Sequence, residues 1–286
     1  MTTAQLTAGA EEVLLTWTPS RGLTVEPESA TTGPLLVADS WLVREGRVRG
    51  YGRHRERFLR ACAESDGPGP GPRRLVEFWH DMTAVLPRTG EWFPRVELAA
   101  GSRELRLRLR HAPPLGSEVR LWAVGQPDPR TLPRRKGPDL DALARVRGRA
   151  VEEGAQEGIL VDSSGMVLES ATASVLWWED DTLCLPPAGS TLLPGITGGL
   201  IQERALRAGI RVAHRKRTLP ELADREVWLV NALHGIRPVT SWTGIGIGTG
   251  TGTGTGIEEP MTAGPATRAT EWRNWLEKLP EPLPDM

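Results

Sequence analysis

Apolar and polar residues change period along this chain, and the changes predict an alternation of strands and helices. The run Glu12 to Trp17 predicts a first strand. LLVADSWLV (35–43) predicts one arm of a hairpin, with a turn at Arg44-Glu45-Gly46 and RVRG (47–50) as the return. From His54 to Glu64, Phe58, Leu59 and Cys62 fall on one face at helical spacing, and DGPGPGP (66–72) ends that helix. A second helix is predicted over 73–85 and strands over 93–99 and 104–110. ELRLRLR alternates strictly, as a strand with one wet face does. A strand at 118–124 closes this half.

QPDPRTLPRR (126–135) holds three prolines in ten residues and predicts an extended linker, with RTLPRRK a solvated basic run rather than a nucleic-acid patch. Lys136 follows, then a helix opening near Asp139, a residue suited to an N-cap. EGILVD (157–162) and MVLES (166–170) flank the turn Ser163-Ser164-Gly165, and ATASVLWW (171–178) with TLCLP (182–186) predicts another hairpin. LLPGITGG leads into a helix ending at Gly209, a residue suited to a C-terminal left-handed position. RVAHRKRTL (211–219), EVWLVNA (226–232) and RPVTSW (237–242) predict further strands. The Gly-Thr repeat of 244–256 reads as a flexible, solvent-exposed insertion, and EWRNWLEKL (271–279) as a short amphipathic helix. The predicted architecture is two α+β domains, 1–126 and 127–286, joined at 126–135.

Composition narrows the function classes. Lys plus Arg is 35 and Asp plus Glu 36, a net charge of -1 that gives no general attraction to nucleic acid or anionic lipid. No run approaches the roughly 20 apolar residues of a membrane helix, and the opening MTTAQLTAGAEEVLL is acidic where a signal peptide is basic and apolar. These features predict a soluble, cytoplasmic protein. Cys62 and Cys184 belong to no C-x-x-C pair and read as buried hydrophobes, and the five histidines have no metal-ligand spacing. The 11 tryptophans read as core and interface residues. Lysine is scarce: only Lys136, Lys216 and Lys278 occur among the 35 basic residues, so chemistry that needs an amine has few candidates. Lys216 lies in the basic HRKR and Lys278 in the terminal helix, both solvated settings.

Four features of the second half fall in a suggestive order: Lys136 after an extended segment, Glu169 at a strand end, LPGITGG entering a helix, and Asn231-Ala232 at another strand end. A helix start binds anions through its free N–H groups and dipole. An amine, an acid for a pyridine nitrogen and a phosphate cradle together suit pyridoxal 5′-phosphate.

The stretches RHRERFL, LPRRKGPDL, GILVDSSGMVLESATAS, LLPGITGGLIQ and EVWLVNALHGIRPV span roughly residues 50–240. In that order the chain resembles the class IV aminotransferases, the fold type IV group of pyridoxal-phosphate enzymes. The resemblance implies a two-domain α+β fold, with a small N-terminal sandwich-like domain and a larger β-rich C-terminal domain, and a homodimer with the site between the domains. It implies a small primary-amine substrate. By position it implies that Lys136 is the Schiff-base lysine and proton shuttle, that Glu169 pairs with the pyridine nitrogen, and that Arg57, in H-x-x-R with His54, holds the phosphate. Gly195, Ile196 and Thr197 would cradle the phosphate at the helix start, with further contacts from Asn231 and Ala232.

Three departures concern the substrate side. VADSWLVREGRVR stands where the family carries a Y-G-D-G-x-F-E type segment, Lys136 is followed by Gly137-Pro138 rather than Thr or Ser, and Ser174 stands where Asn is usual five residues after the glutamate. VNALHGIRPV resembles the aminodeoxychorismate lyase branch more than the G-T-A turn of branched-chain aminotransferases. The expected activity is therefore lyase-like elimination giving pyruvate and an aryl amine. Transamination of the branched-chain or D-amino-acid type is the alternative, and a non-catalytic binding protein on the same fold is the rival from another class.

Overall fold

Leucines 105, 107 and 109 alternate with arginines, and their buried side chains define the inner face of a sheet. The computed structural model describes residues 12–26, 33–65, 67, 69–189, 191–244 and 261–285. The Gly-Thr insertion lies, beyond residue 244, outside the described residues. Two compact units result. The first holds the chain up to Leu115, Arg135–Pro138 and the stretch from Leu279 on; the second holds Gly116–Arg134 and Asp139–Lys278.

In the first unit, β1 (Glu12–Thr18), β2 (Gly22–Val25) and β3 (Leu35–Ser40) are followed by the short β4 (Val43–Arg44) and β5 (Arg47–Val48). Helices α1 (Tyr51–Ala63) and α2 (Pro72–Val85) come next, then β6 (Glu91–Trp92), β7 (Arg95–Ala99) and β8 (Leu105–Arg110). The main sheet is antiparallel in the order β2-β1-β8-β7-β3. The predicted hairpin is divided: β3 pairs with β7, and only β4 turns back onto β5. Helix α1 starts three residues before the expected His54, after Gly50 in a left-handed conformation (φ 65°). Its buried stripe is His54, Phe58 and Cys62, with Leu59 only half-buried. Phe58 packs near Phe78 and Trp79 of α2, which also borders Trp41.

The arginine face of β8 is drier than the alternation predicts. Arg108 is buried, because β7 places Glu97 beside it; Arg108 Nε donates to Glu97 Oε1 at 2.9 Å, and Arg95 Nε donates to the same oxygen at 2.7 Å. A fully buried acid is tolerable only when paired in this way.

The second unit begins with β9 (Val119–Pro127), α3 (Leu140–Glu152), β10 (Glu157–Val161), β11 (Val167–Ser170), β12 (Ser174–Glu179) and β13 (Thr182–Leu185). It continues with α4 (Ile196–Arg207), β14 (Arg211–His214), β15 (Val227–Asn231), β16 (Gly235–Thr243), β17 (Met261–Thr262) and α5 (Ala269–Leu276). The strand order is β11-β10-β9-β16-β15-β12-β13-β14, with β17 on β16, and a further pairing of β11 with β12 closes six strands into a ring. Ile159, Val161, Val175, Trp177, Val227 and Leu229 belong to one buried apolar cluster that the ring surrounds. Gly209 (φ 72°) ends α4 as expected, with the N–H of Ile210 bonded to the carbonyl of Ala205. The strand expected over 211–219 stops at His214, where Arg215 and Arg217 turn to the carboxylate of Glu179. Among the described residues no helix is long and apolar enough to cross a membrane.

The predicted linker is a folded segment. β9 runs on to Pro127, and Thr131 and Leu132 donate backbone N–H groups to the Asp139 carboxylate, both at 2.9 Å. Asp139 does precede α3, but its side chain serves this turn and makes no cap bond to the helix. After it, Lys136–Gly137 lies against β3: the Ala38 N–H donates to the Lys136 carbonyl at 2.7 Å, and a Cβ on Gly137 (φ +133°) would fall 2.7 Å from Ala38 N and 2.8 Å from Val37 C. Gly137→Ala is expected to reduce the free energy of unfolding by about 2–4 kcal/mol, the range for a backbone clash at a special φ. Gly52→Ala, on α1 with nothing within 4 Å of the added methyl, is expected to leave stability unchanged or raise it slightly. Urea denaturation of the two variants checks this.

Candidate active site

The first unit gathers four ionisable side chains around the end of β3. Asp39 is shut off from solvent. Its two oxygens accept Arg57 Nε at 2.8 Å and Arg57 Nη2 at 2.7 Å, a bidentate fork, and it also takes the Ser40 N–H at 2.7 Å. His54 Nδ1 lies 2.9 Å from Asp39 Oδ1. Residues three apart on α1 share a face, so the H-x-x-R spacing delivers both groups to one acid. Burial by itself would raise the Asp39 carboxyl, but Arg57 and then His54 reverse this and hold it well below the usual carboxylate range. Burial pushes His54 below its ordinary value against the pull of Asp39. Neutral His54 then donates Nδ1–H to Asp39, and its buried Nε2 has no hydrogen-bond partner among the described residues.

Lys136 joins this group. It is partly exposed as a residue, while its ammonium is densely surrounded by protein. Burial lowers its pKa to about 8, with Arg57 adding to the effect, Asp39 opposing it, and Arg95 and Arg110 contributing further repulsion. An amine shifted this far has a usable neutral fraction near pH 7 to 8 and can attack a carbonyl.

In the second unit Ser174 is the point of convergence. It pairs with Glu169 across β11–β12 and with Val230 across β12–β15, and a Cβ on Gly195 would fall 2.5 Å from its hydroxyl. Glu169, Asn231 and the start of α4 are thereby brought together. Glu169 is buried, and its Oε2 accepts Arg130 Nη1 at 2.5 Å and the Leu193 N–H at 3.2 Å. Burial raises the Glu169 carboxyl to about 7, with Arg130 and the Leu193 N–H restraining the rise. Gly195 precedes α4, whose first turn has no side-chain cap; Thr197 is buried within it. The leading N–H groups of a helix have no partner inside it. Asn231 departs from expectation in one respect: its side chain is occupied by the turn, with Oδ1 accepting the His234 N–H at 2.8 Å and Nδ2 donating to the Thr172 carbonyl at 3.4 Å. Ala232 follows in the same turn.

Arg57 and Lys136 thus fall in the first unit, and Glu169, Gly195, Ile196, Thr197, Asn231 and Ala232 in the second. Sequence reasoning missed Asp39 and Arg130. A lone acid inside the apolar run LLVADS was a usable signal for Asp39. Arg130 had none, since arginine is abundant and the segment around it is rich in proline.

The sequence matches the class IV amino-transferase family over residues 36–242. The chain belongs to that family. Its members are pyridoxal-phosphate enzymes, so this chain carries an enzyme fold built for that cofactor. The branched-chain-amino-acid aminotransferases of Salmonella typhimurium and Escherichia coli K12 are 35% identical to it over 121 residues, 41% of this chain and 39% of theirs. The aligned stretch therefore spans about two-fifths of those curated relatives. Among solved structures, a hypothetical aminotransferase from Mycobacterium tuberculosis, bound to alpha-ketoglutarate and PMP, superposes with a TM-score of 0.71 at 20% identity, covering 93% of this chain and 98% of that one. A putative 4-amino-4-deoxychorismate lyase from Legionella pneumophila gives 0.61 at 16%, covering 78% and 92%. At those identities the likeness is one of fold.

The family fold leaves a thermodynamic mark on the cofactor-free chain. Lys136 has a lower pKa folded (about 8) than unfolded (10.5), so between these values the unfolded chain binds more protons and stability rises with pH. Below pH 8 the full penalty applies. Lys136→Met is expected to stabilise the cofactor-free protein at pH 7 by roughly 1–2 kcal/mol, less than the shift alone implies because the residue is partly exposed. The gain should shrink towards pH 10, as read by thermal unfolding across that range.

Proposed function

We propose that this chain is a pyridoxal-phosphate-dependent enzyme acting on a small primary amine, with Lys136 as the residue that bonds the cofactor. The observation that carries this is the family match over residues 36–242 together with the placement of Lys136, one of three lysines in the chain, at the strand end that also fixes Arg57. The residues present fit the cofactor: an amine made nucleophilic by burial, a buried acid, and a helix start with no side-chain cap. When bound, pyridoxal phosphate supplies an electron sink for charge that develops at the substrate Cα. Lys136 would be the amine that holds the cofactor and, when free, the base placed to move the proton at the substrate Cα. Glu169 would face the ring nitrogen. Arg57 and the N–H groups of Ile196 and Thr197 would hold the phosphate, Gly195 would allow its close approach, and Asn231 and Ala232 would contribute through the backbone because the Asn231 side chain serves its own turn.

The amino-group chemistry we favour is transamination, supported by the curated branched-chain aminotransferases that share 35% identity. The lyase-like elimination is the second reading, favoured by the V-N-A-L-H-G turn after β15 and by the likeness in fold to the Legionella protein. A homodimer in the cytoplasm belongs to the same proposal.

Borohydride reduction of the protein incubated with pyridoxal phosphate, followed by peptide mapping, is expected to place the label on Lys136 alone and to give none in Lys136→Ala. A label elsewhere, or no label, refutes the proposal. Amine consumption that depends on an added keto acid identifies transamination; pyruvate released from aminodeoxychorismate without a keto acid identifies the lyase.

A further inference from the structure

Arg130 occupies an unusual place for a residue in a proline-rich segment. Only 5% of its side chain is exposed. Its Nε reaches both oxygens of Asp128 at 2.9 Å, and Nη2 donates to Asp128 Oδ2 at 2.7 Å and to the Thr191 carbonyl at 3.0 Å. Nη1 is left for Glu169, and it goes to Oε2 at 2.5 Å. The Leu193 N–H goes to Oε2 as well. Oε1 takes no hydrogen bond from any described residue. A carboxylate held this way is asymmetric: one oxygen fixed, the other uncommitted.

We propose that Arg130, braced by Asp128, is a positioning residue that clamps Oε2 of Glu169 and so reserves Oε1 as the acceptor for a ring N–H. The inference rests on the functional reading above and deepens it, because it names the residue that fixes how the acid meets the cofactor. Glu169 is subject to opposed influences. Burial and the negative Asp128 favour its protonated form, whereas Arg130 and the Leu193 N–H favour the ionised one. A protonated Glu169 has lost its charge and cannot hold a proton on the ring nitrogen. Without Arg130, burial would act on Glu169 unopposed by any side-chain cation named around it. A lysine at 130 would keep the charge but lose the planar fork that engages Asp128 and Glu169 together.

The test has two arms. The first uses cofactor-free protein. The pH dependence of unfolding is measured for the wild type and for Arg130→Gln, each against its own Glu169→Gln partner, so that the difference isolates the titration of Glu169. A raised carboxyl contributes stability below its unfolded pKa and loses it as pH rises through the folded value. In the wild type the loss should run from about pH 4.5 and level off near pH 7, and in Arg130→Gln the levelling-off should move up by about one unit or more. No upward movement overturns the clamp, whether or not the cofactor binds. The second arm compares binding of pyridoxal phosphate with that of its 1-deaza analogue, which lacks the ring nitrogen. Arg130→Gln should weaken pyridoxal phosphate about tenfold and the analogue less than about twofold. Equal weakening of both marks a merely structural role and overturns the proposal, as does no weakening of either. If Arg130→Gln does not fold, Arg130→Lys carries the same comparisons, with a smaller loss again confined to pyridoxal phosphate. A wild type that takes up neither ligand defeats the functional reading and this inference together; an unmoved Glu169 titration defeats this inference alone.

Discussion

The bidentate contact between Asp39 and Arg57 is the constraint from which the chemistry of the first unit follows. An ionised carboxylate removed from water costs several kcal/mol unless it is paired and hydrogen-bonded. Asp39 meets that demand with two guanidinium bonds, a histidine and the Ser40 N–H. Once it does, Arg57 and His54 have fixed positions and α1 has a fixed rotation about its axis. The same strand takes the Lys136 carbonyl through Ala38, one residue before Asp39. An acid, two cations and an imidazole are thereby collected at one strand end. The depressed pKa of Lys136 is then a consequence of burial and of the neighbouring arginine.

The second unit solves the same problem with different residues. Closing six strands into a ring excludes water from the cluster around Trp177 and Leu229, and it puts β11, β12 and β15 side by side. Glu169 on β11 is buried by that closure, and Arg130 answers its charge from outside the ring strands. Ser174 sits where the loop before α4 must pass closely, and a glycine at 195 lets it do so. Each of the two units therefore pins a buried acid with an arginine and leaves one reactive group less fully engaged: the amine of Lys136 in one, Oε1 of Glu169 in the other.

Family membership and chemistry are supported by different observations. The match over residues 36–242 and the superpositions establish the fold type. They do not choose among reactions, because one fold hosts several chemistries and the choice lies in the site. The segment where the family usually carries its aromatic and acidic substrate residues is here VADSWLVREGRVR, and Asp39 and Trp41 within it are buried in the unit's own interior. That part of the sequence serves the packing around α1.

Much of the secondary structure was legible in local pattern. The buried faces of α1, β8 and β12 follow apolar spacing, and Gly209 marked the end of α4, because these features depend on neighbours in the chain. The proposed cofactor residues were legible only as a set in order, since each is ordinary alone. Local pattern failed where a distant partner changed the environment of a residue. Arg108 reads as a wet strand residue until β7 sets Glu97 against it. QPDPRTLPRR reads as a solvated linker until Asp139 ties its turn and Glu169 draws in Arg130. Asp139 reads as a helix cap until that turn claims its carboxylate. The sequence by itself determined the order of elements, the family and the candidate amine. The tertiary structure decided which charges are buried and what answers them, because desolvation and pairing depend on groups that meet only after the chain has folded.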